Sequence, residues 1–410
     1  MSMGLFSDFN ASVKKIIQFA IQTAWRIVPN PFKKLIRRVL QLGGRKTIHQ
    51  NRQIFHQIFQ TETQKNPRSV IFFPPSLDWD VQLFQRPQQL ALALARRGAL
   101  VFYLQPKIHK DQPPFQYLHE RMILCNASVK VFEEVENPWI YLLTWNSGYA
   151  QPFDKPRIIY DFVDDIDVFY GDREEITRGH DRLLEDAEIV VATAGKLVEQ
   201  VAFRRPDLLY LPNGVDFDHF SNHDSTLLPL PADLERIVAA GKPIIGYYGA
   251  LARWFDYALF SEVCRLCPDY QFILIGPDYD GTLRSTDIQK LDNVHWLGVK
   301  PYRELPHYLH YFDAATIPFL VNDITHATSP LKLFEYMAGE KPVVITPMRE
   351  SMQYEGVLIA KSAEEFAQQL KTALALASNS DYRALLRKIA QENTWDARAE
   401  VILKEIEKRR

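Results

Sequence analysis

Cysteine is scarce in this chain, three among 410 residues, two of them close together at Cys264 and Cys267. That excludes a disulfide scaffold; with no second pair to complete a CxxC site, and with both residues in a helical pattern ahead of Pro268, these thiols are expected to pack. No run of about 18 uninterrupted apolar residues occurs, so no bilayer-spanning helix is expected. Near Met1 there is no short apolar core followed by a small-residue cleavage site, so export is not expected either. GxGxxG and GxxxxGK[ST] are both missing, which argues against a dehydrogenase and an ordinary nucleotide hydrolase. His180, His219 and His326 lack metal-ligand spacing, and no metal site is expected. A net charge of −2 with 47% hydrophobic residues excludes a disordered chain. The length suggests two domains with an extension.

The small net charge hides an asymmetry. Residues 1–60 hold ten basic side chains against one acid, Asp8, a charge of +9; the remaining 350 residues hold 38 basic and 49 acidic groups, or −11. Val13, Ile16, Ile17, Ala20, Ile21, Ala24 and Val28 follow helical spacing, Pro29 and Pro31 interrupt it, and Phe32, Leu35, Ile36, Val39 and Leu40 resume it beside Lys33, Lys34, Arg37 and Arg38. Basic amphipathic helices of this kind suit an anionic membrane surface, and residues 1–60 are expected to bind one; packing on the body or on a partner is the alternative. The expected location is cytoplasmic, peripheral on the inner face of the cell membrane. No aromatic-basic recognition module accompanies the arm, so nucleic acid is not an expected partner.

From Ser69 onward, short apolar runs alternate with helical patterns. Ser69–Phe73, Ala99–Leu104, Trp139–Thr144, Arg157–Val163, Ala187–Thr193 and Leu208–Leu211 are predicted strands. After a Pro-rich connection the alternation restarts with Ile244–Tyr248, Gln271–Ile275, Val294–Leu297, Ala314–Pro318 and Pro342–Thr346. The fold class is α/β: two Rossmann-like doubly wound domains with an N-terminal amphipathic helical extension. The expected boundaries are 1–66 for the extension, 67–220, a linker at 221–242, 243–392, and a C-terminal helix at 393–410 returning toward the first domain. Ligands of such sheets bind beyond the carboxyl ends of strands, where Gly249, Gly276 and Gly298 stand in the second half.

Ser329–Thr346, SPLKLFEYMAGEKPVVIT, carries the most chemistry. Ser329 suits a helix cap, Pro330 its first position and Gly339 its end. The amides at that helix start, with Lys332 beside them, suit a diphosphate; Glu335 suits a vicinal pair of sugar hydroxyls. The same spacing also describes an ordinary surface ion pair. Asp161, Asp164 and Asp165 follow an apolar strand, and carboxylates so close raise at least one pKa, which suits proton exchange with an acceptor hydroxyl. Asp165-Ile-Asp167 also spells DxD, a metal-binding pattern elsewhere.

The Ser329 segment resembles the donor-binding helix of GT-B glycosyltransferases, in particular the family 4 group and its teichuronic-acid-biosynthesis-like branch. LPNGVDFDHF (Leu211–Phe220), WDVQLFQRPQQLALALARRG (Trp79–Gly98), YDFVDD (Tyr160–Asp165), GYYGALARWFD (Gly246–Asp256) and NVHWLGVKPYRELPHYLHYFDAATIPF (Asn293–Phe319) are similar to stretches of that branch in the same order. The resemblance implies a sugar transferred from a nucleotide-diphosphate sugar, as co-substrate with no cofactor or metal, to a saccharide or lipid-linked acceptor in cell-surface polysaccharide synthesis, with retention at the anomeric carbon. It implies a donor site at Gly249, Arg253, Gly276, Val299, Ser329, Leu331, Lys332 and Glu335 in the second domain. In the first domain, position makes Asp161, Asp164 and Asp165 the expected catalytic carboxylates, and Arg86, at a helix start next to a strand-end loop, is expected on the acceptor side with Trp79, within reach of an anionic acceptor or the diphosphate. The family's first glutamate falls at Ala327, where Asp323 or the backbone after Thr328 is the nearest replacement, and the expected diphosphate lysine after Arg253 is missing. Those departures keep a non-catalytic GT-B-like subunit as a rival reading, and a sugar-nucleotide epimerase of similar two-domain shape is another.

Overall fold

The structure, a computed structural model, describes residues 30–81, 84–169, 171–221 and 229–409. The chain forms two compact units, 1–59 and 60–410. The described part of the first lies in helix α1, Asn30–Thr63, with Pro31 in its opening turn, where a missing N–H costs nothing. The expected helix over Val13–Val28, and the side chains of the basic stretch from Phe32 to Leu40, lie outside the described residues. No described helix is long and apolar enough to cross a membrane.

The second unit contains two sheets. The first has eight strands: β1 Val70–Phe73, β2 Leu100–Leu104, β3 Phe115–His119, β4 Met122–Cys125, β5 Trp139–Leu143, β6 Arg157–Phe162, β7 Ile189–Ala192 and β8 Leu209–Tyr210. Their order is β3-β4-β2-β1-β5-β6-β7-β8. All pairs are parallel except β3 with β4. Most of these strands are buried on both faces and therefore read as continuous apolar runs, such as Leu100–Leu104. Helix α2, Arg86–Arg96, crosses from β1 to β2. Pro87 sits in its first turn, the Gln88 side chain accepts the Gln85 N–H at 3.1 Å, and Gly98, at φ +97°, follows its end. Helices α3, Arg173–Asp186, and α4, Gly195–Val201, flank β7.

The second sheet has six parallel strands: β9 Ile244–Tyr248, β10 Gln271–Ile275, β11 Val294–Trp296, β12 Ala314–Ile317, β13 Val343–Ile345 and β14 Leu358–Ile359. Their order is β11-β10-β9-β12-β13-β14. Around it lie α5 Tyr257–Leu266, α6 Leu331–Ala338, α7 Ala363–Leu376 and α8 Ser380–Glu392. In β9, Gly246 leaves room for the Phe312 ring, which a Cβ would meet at 1.9 Å. The last helix, α9 Trp395–Lys408, buries Trp395, Ala399, Ile402, Leu403 and Ile406 in the first sheet's core, against Leu90 and Leu94 of α2.

Several elements differ from the sequence reading. The β3–β4 hairpin was not expected. Between residues 221 and 242 the chain forms a short helix, Glu235–Ala239, and Leu234 and Ile237 sit in the second core together with Val215 and Phe220. Cys264 and Cys267 are buried, free thiols.

Candidate functional site

In each sheet the crossovers reverse direction at a central strand, between β1 and β5 in the first and between β9 and β12 in the second. Loops diverge there and leave a crevice at the carboxyl ends. The two crevices face one another across a cavity of about 580 Å³, a size that suits a small ligand. Its first wall includes Phe84, Arg86, Trp145, Asp164, Phe169 and Asn213. Its second wall holds all eight residues expected for a donor: Gly249, Arg253, Gly276, Val299, Ser329, Leu331, Lys332 and Glu335.

The second wall is arranged around the start of α6. Pro330, not Ser329, is the N-cap, and no side chain caps the helix. The Ser329 hydroxyl is engaged elsewhere, accepting the Asn213 N–H at 3.1 Å, while the Asn213 amide donates to the Ser329 carbonyl at 2.6 Å. Those bonds tie the helix start to the end of the first lobe. Lys332 lies with its ammonium 5.0 Å from the Phe319 ring centroid and 5.4 Å from that of Tyr247. Desolvation there lowers its pKa to about 8, against the pull of Glu335. Glu335 is 6% exposed. Burial raises its carboxyl to about 7, opposed by Lys332 and the Tyr248 hydroxyl. An anion at the helix start would therefore favour the charged form of Lys332.

The glycines contribute clearance. Gly249 (φ +140°) and Gly276 (φ +135°) have backbone conformations that side chains disfavour. A Cβ on Gly276 would sit 1.8 Å from the Gly249 carbonyl oxygen, and one on Gly249 would sit 2.8 Å from Lys332 Cε. Their N–H groups donate to the carbonyls of Gly298 and Ile275, respectively. Their role is to let two strand-end loops and a lysine stem meet.

The first wall corrects several expectations. Of the three aspartates, only Asp164 lines the cavity; burial, then Asp161 and Asp165, raise its pKa to about 6. Asp161 is 0% exposed. It sits within β6 and grips Arg86, with Arg86 Nε to Oδ2 at 2.5 Å and Nη2 to Oδ1 at 3.2 Å, and it accepts the Tyr141 hydroxyl. It has no open face for proton exchange. Asp165 accepts the Asp167 N–H and the Gln200 amide, and Asp167 pairs with Arg173. These two carboxylates do not converge, and no group of three or more potential metal ligands occurs among the described residues.

Arg86 reaches the cavity wall, but its charge is spent on Asp161, and its Nη1 donates to Pro212 O and Asn213 Oδ1 at 3.2 Å each. It is 4% exposed, so it is not a free anion receptor. Trp79 stands behind the wall, packed edge-on against Phe84 and Tyr103 at 5.1 and 5.2 Å. Ala327 is buried at the end of a short helix, Asp323–His326. Asp323 faces away from the cavity and pairs with Lys196 at 2.7 Å, so it does not replace the missing glutamate. Asn322, Thr325 and Thr328 line the cavity there instead.

Sequence reasoning missed Trp145, Phe169, Tyr248 and Tyr302. The available signal was position, since Trp145 and Tyr248 stand at or just beyond the carboxyl ends of β5 and β9.

Comparison with known proteins points the same way. Residues 242–375 match the family described as glycosyl transferases group 1. The chain is similar to the putative teichuronic acid biosynthesis glycosyltransferase TuaH of Bacillus subtilis (strain 168), with 24% identity over 244 residues. That match covers 57% of this chain and 60% of TuaH, less than two thirds of the relative's length. Among solved structures, sucrose-phosphate synthase from Thermosynechococcus elongatus superposes with a TM-score of 0.64 at 16% identity, covering 83% of this chain and 98% of that one. HepE from Anabaena, solved in complex with UDP and glucose, gives 0.57 at 15% identity, covering 83% and 99%.

Proposed function

We propose that this chain, which has the GT-B glycosyltransferase fold and whose residues 242–375 match glycosyl transferases group 1, moves a sugar from a nucleotide-diphosphate sugar to a saccharide or lipid-linked acceptor in cell-surface polysaccharide synthesis. The observation that carries the reading is the placement of both Lys332 and Glu335, three residues apart at the uncapped start of α6, on a cavity between two sheets. The diphosphate takes Lys332, Arg253 and the first amides of α6; Glu335 takes the ribose hydroxyls; the backbone at Gly298 and Val299 meets the base. The solved complex of HepE with UDP and glucose supports a donor of this class.

In the transfer, the acceptor hydroxyl oxygen bonds to the anomeric carbon as the bond from that carbon to the diphosphate breaks. The electron pair leaves with the diphosphate, which takes the hydroxyl proton, and the sugar keeps its configuration. Lys332 and the helix amides contribute most where charge grows on the leaving group, so they favour the transition state over bound donor. Asp164 holds the acceptor hydroxyl. We assign no cofactor and no metal; the nucleotide sugar is a co-substrate.

Calorimetry and transfer assays across nucleoside diphosphates and their sugars test this. Glu335→Ala should weaken binding at least tenfold and nearly abolish transfer while the fold persists, and Lys332→Ala should chiefly weaken diphosphate binding. Wild-type kinetics in Glu335→Ala would remove the site. An absence of nucleotide binding would favour a non-catalytic GT-B-like subunit, a reading that Ala327 supports.

The +9 arm at residues 1–60 is proposed to hold the protein on the anionic inner face of the cell membrane, where a lipid-linked acceptor resides. Full-length protein should co-sediment with anionic vesicles, and a chain starting near Asn66 should not; equal binding by both would reject the role.

A further inference from the structure

The acceptor side of the cavity carries a chemical preference. Among the described residues, Arg86 is the one cation on the first wall, and Asp161 neutralises it with a two-pronged ion pair beneath the surface. The charge left on that wall is negative, on Asp164. A phosphate or carboxylate placed on that wall meets repulsion from Asp164, while the cavity's other cations, Arg253, Lys300 and Lys332, stand on the opposite wall.

Beside Gln85 and Asn213, the rest of that wall is apolar. Trp145, from the turn beyond β5, and Phe169, from the turn beyond β6, place their ring centroids 5.7 Å apart at a 51° tilt. Trp145 keeps 39% of its surface exposed, and both rings line the cavity beside Val168 and Asp164. Two partly exposed aromatic rings in a concave site have apolar area left to bury, and a carboxylate on the same wall has acceptor capacity to fill. A pyranose presents that combination: an apolar C–H face and a rim of hydroxyls.

We propose that the acceptor subsite takes an uncharged pyranose, its C–H face stacked on Trp145 and Phe169 and a hydroxyl turned to Asp164, and that it rejects sugar phosphates and uronates. This rests on the reading of the cavity as a glycosyl-transfer site and adds the class of acceptor that the site selects.

Saturation-transfer NMR on the full chain with UDP present tests it, using methyl glucoside, methyl galactoside and methyl mannoside against glucose 6-phosphate and glucuronate. At least one neutral methyl glycoside should show transfer to its ring C–H protons, and the charged sugars should show at least fivefold less. Trp145→Ala should cut the neutral signal at least fivefold, Trp145→Phe should restore most of it, and neither should change UDP affinity by calorimetry. Should Trp145→Ala not fold, Phe169→Leu serves, with at least a twofold loss expected. Charged sugars binding as well as neutral ones, or signals unchanged by these substitutions, would overturn the proposal. Binding of UDP without any neutral glycoside would also overturn it while sparing the donor site; failure of every nucleoside diphosphate to bind would instead overturn the underlying function.

Discussion

Asp164 is held at a cost to folding. Its carboxyl is raised from an ordinary 3.8 to about 6. The native state therefore binds the proton more tightly than the unfolded chain does. This group's contribution is most favourable below pH 4 and is lost as pH rises through 6. One pKa unit is about 1.4 kcal/mol; discounting for its partial exposure leaves a penalty of about 1–2 kcal/mol at neutral pH. Asp164→Asn should raise the melting temperature at pH 7.5 by about 2 °C or more, lose most of that gain near pH 4.5, and depress transfer. Calorimetric scans at the two pH values check the sign; an equal gain at both would assign the effect to packing. Asp161 behaves differently although it is three residues away. Burial also raises its carboxyl, but Arg86 opposes this and makes the aspartate a structural partner. From sequence the two aspartates were equivalent. What separates them is whether the side chain meets α2 or the cavity, which only the packed sheet decides.

Strand-end turns make the second wall possible, and Gly276 is their tightest point. Gly276→Ala adds left-handed strain of about 1–3 kcal/mol and drives a methyl into the Gly249 carbonyl, 1.8 Å away. A backbone carbonyl cannot rotate aside as a side chain can. The expected outcome is loss of several kcal/mol, with insoluble or strongly destabilised protein, read by denaturant melts. Gly281→Ala, also at positive φ but with open space around its Cβ, is the control, and comparable losses in both would reduce the clash to simple strain. The legibility of the elements follows from burial. Strands buried on both faces, such as β9 and β10, print unbroken apolar runs and were read with their observed bounds. The edge strand β3, Phe115–His119, is half exposed and mixed in pattern, and β14 has two residues, so neither left a period to detect. Lys332 and Glu335 were legible because one contiguous segment carries both. Trp145 and Phe169 were not, because their meeting depends on β5 and β6 being neighbours, a pairing that local pattern does not encode.

Across the second unit, the chain crosses between lobes at two adjacent places. Val215 N–H donates to the Asn393 carbonyl, Trp395 N–H donates to the Val215 carbonyl, and Gly214 fits because a Cβ would lie 2.9 Å from the Thr394 carbonyl carbon. Such a short, close-packed crossing is where a hinge has room for only a few dihedrals to change. A second set of contacts joins α4 and β8 to the other lobe: Lys196 with Asp323 at 2.7 Å, Glu199 with Arg349, and Glu350 accepting the Gly195 N–H at 2.6 Å and the hydroxyl of Tyr210 in β8 at 2.7 Å. The two ion pairs are largely exposed, so solvent screening leaves each of them a small attraction. That is too little to lock the lobes and enough to bias an opening equilibrium. Asn322 of the cavity wall adjoins Asp323, so a change at the Lys196–Asp323 contact is expected to reach the site. Lys196→Ala combined with Arg349→Ala should therefore enlarge the radius of gyration of the ligand-free protein in solution scattering. Saturating nucleotide sugar should reverse the change, since ligand that prefers the closed form repopulates it. Donor KM should rise about three- to tenfold with kcat nearly preserved, and wild-type KM should climb with salt, as screened pairs require. Scattering and KM unchanged in the double variant would leave the hydrogen bonds of Glu350 and Asn213, not the exposed charges, as what holds the cavity together.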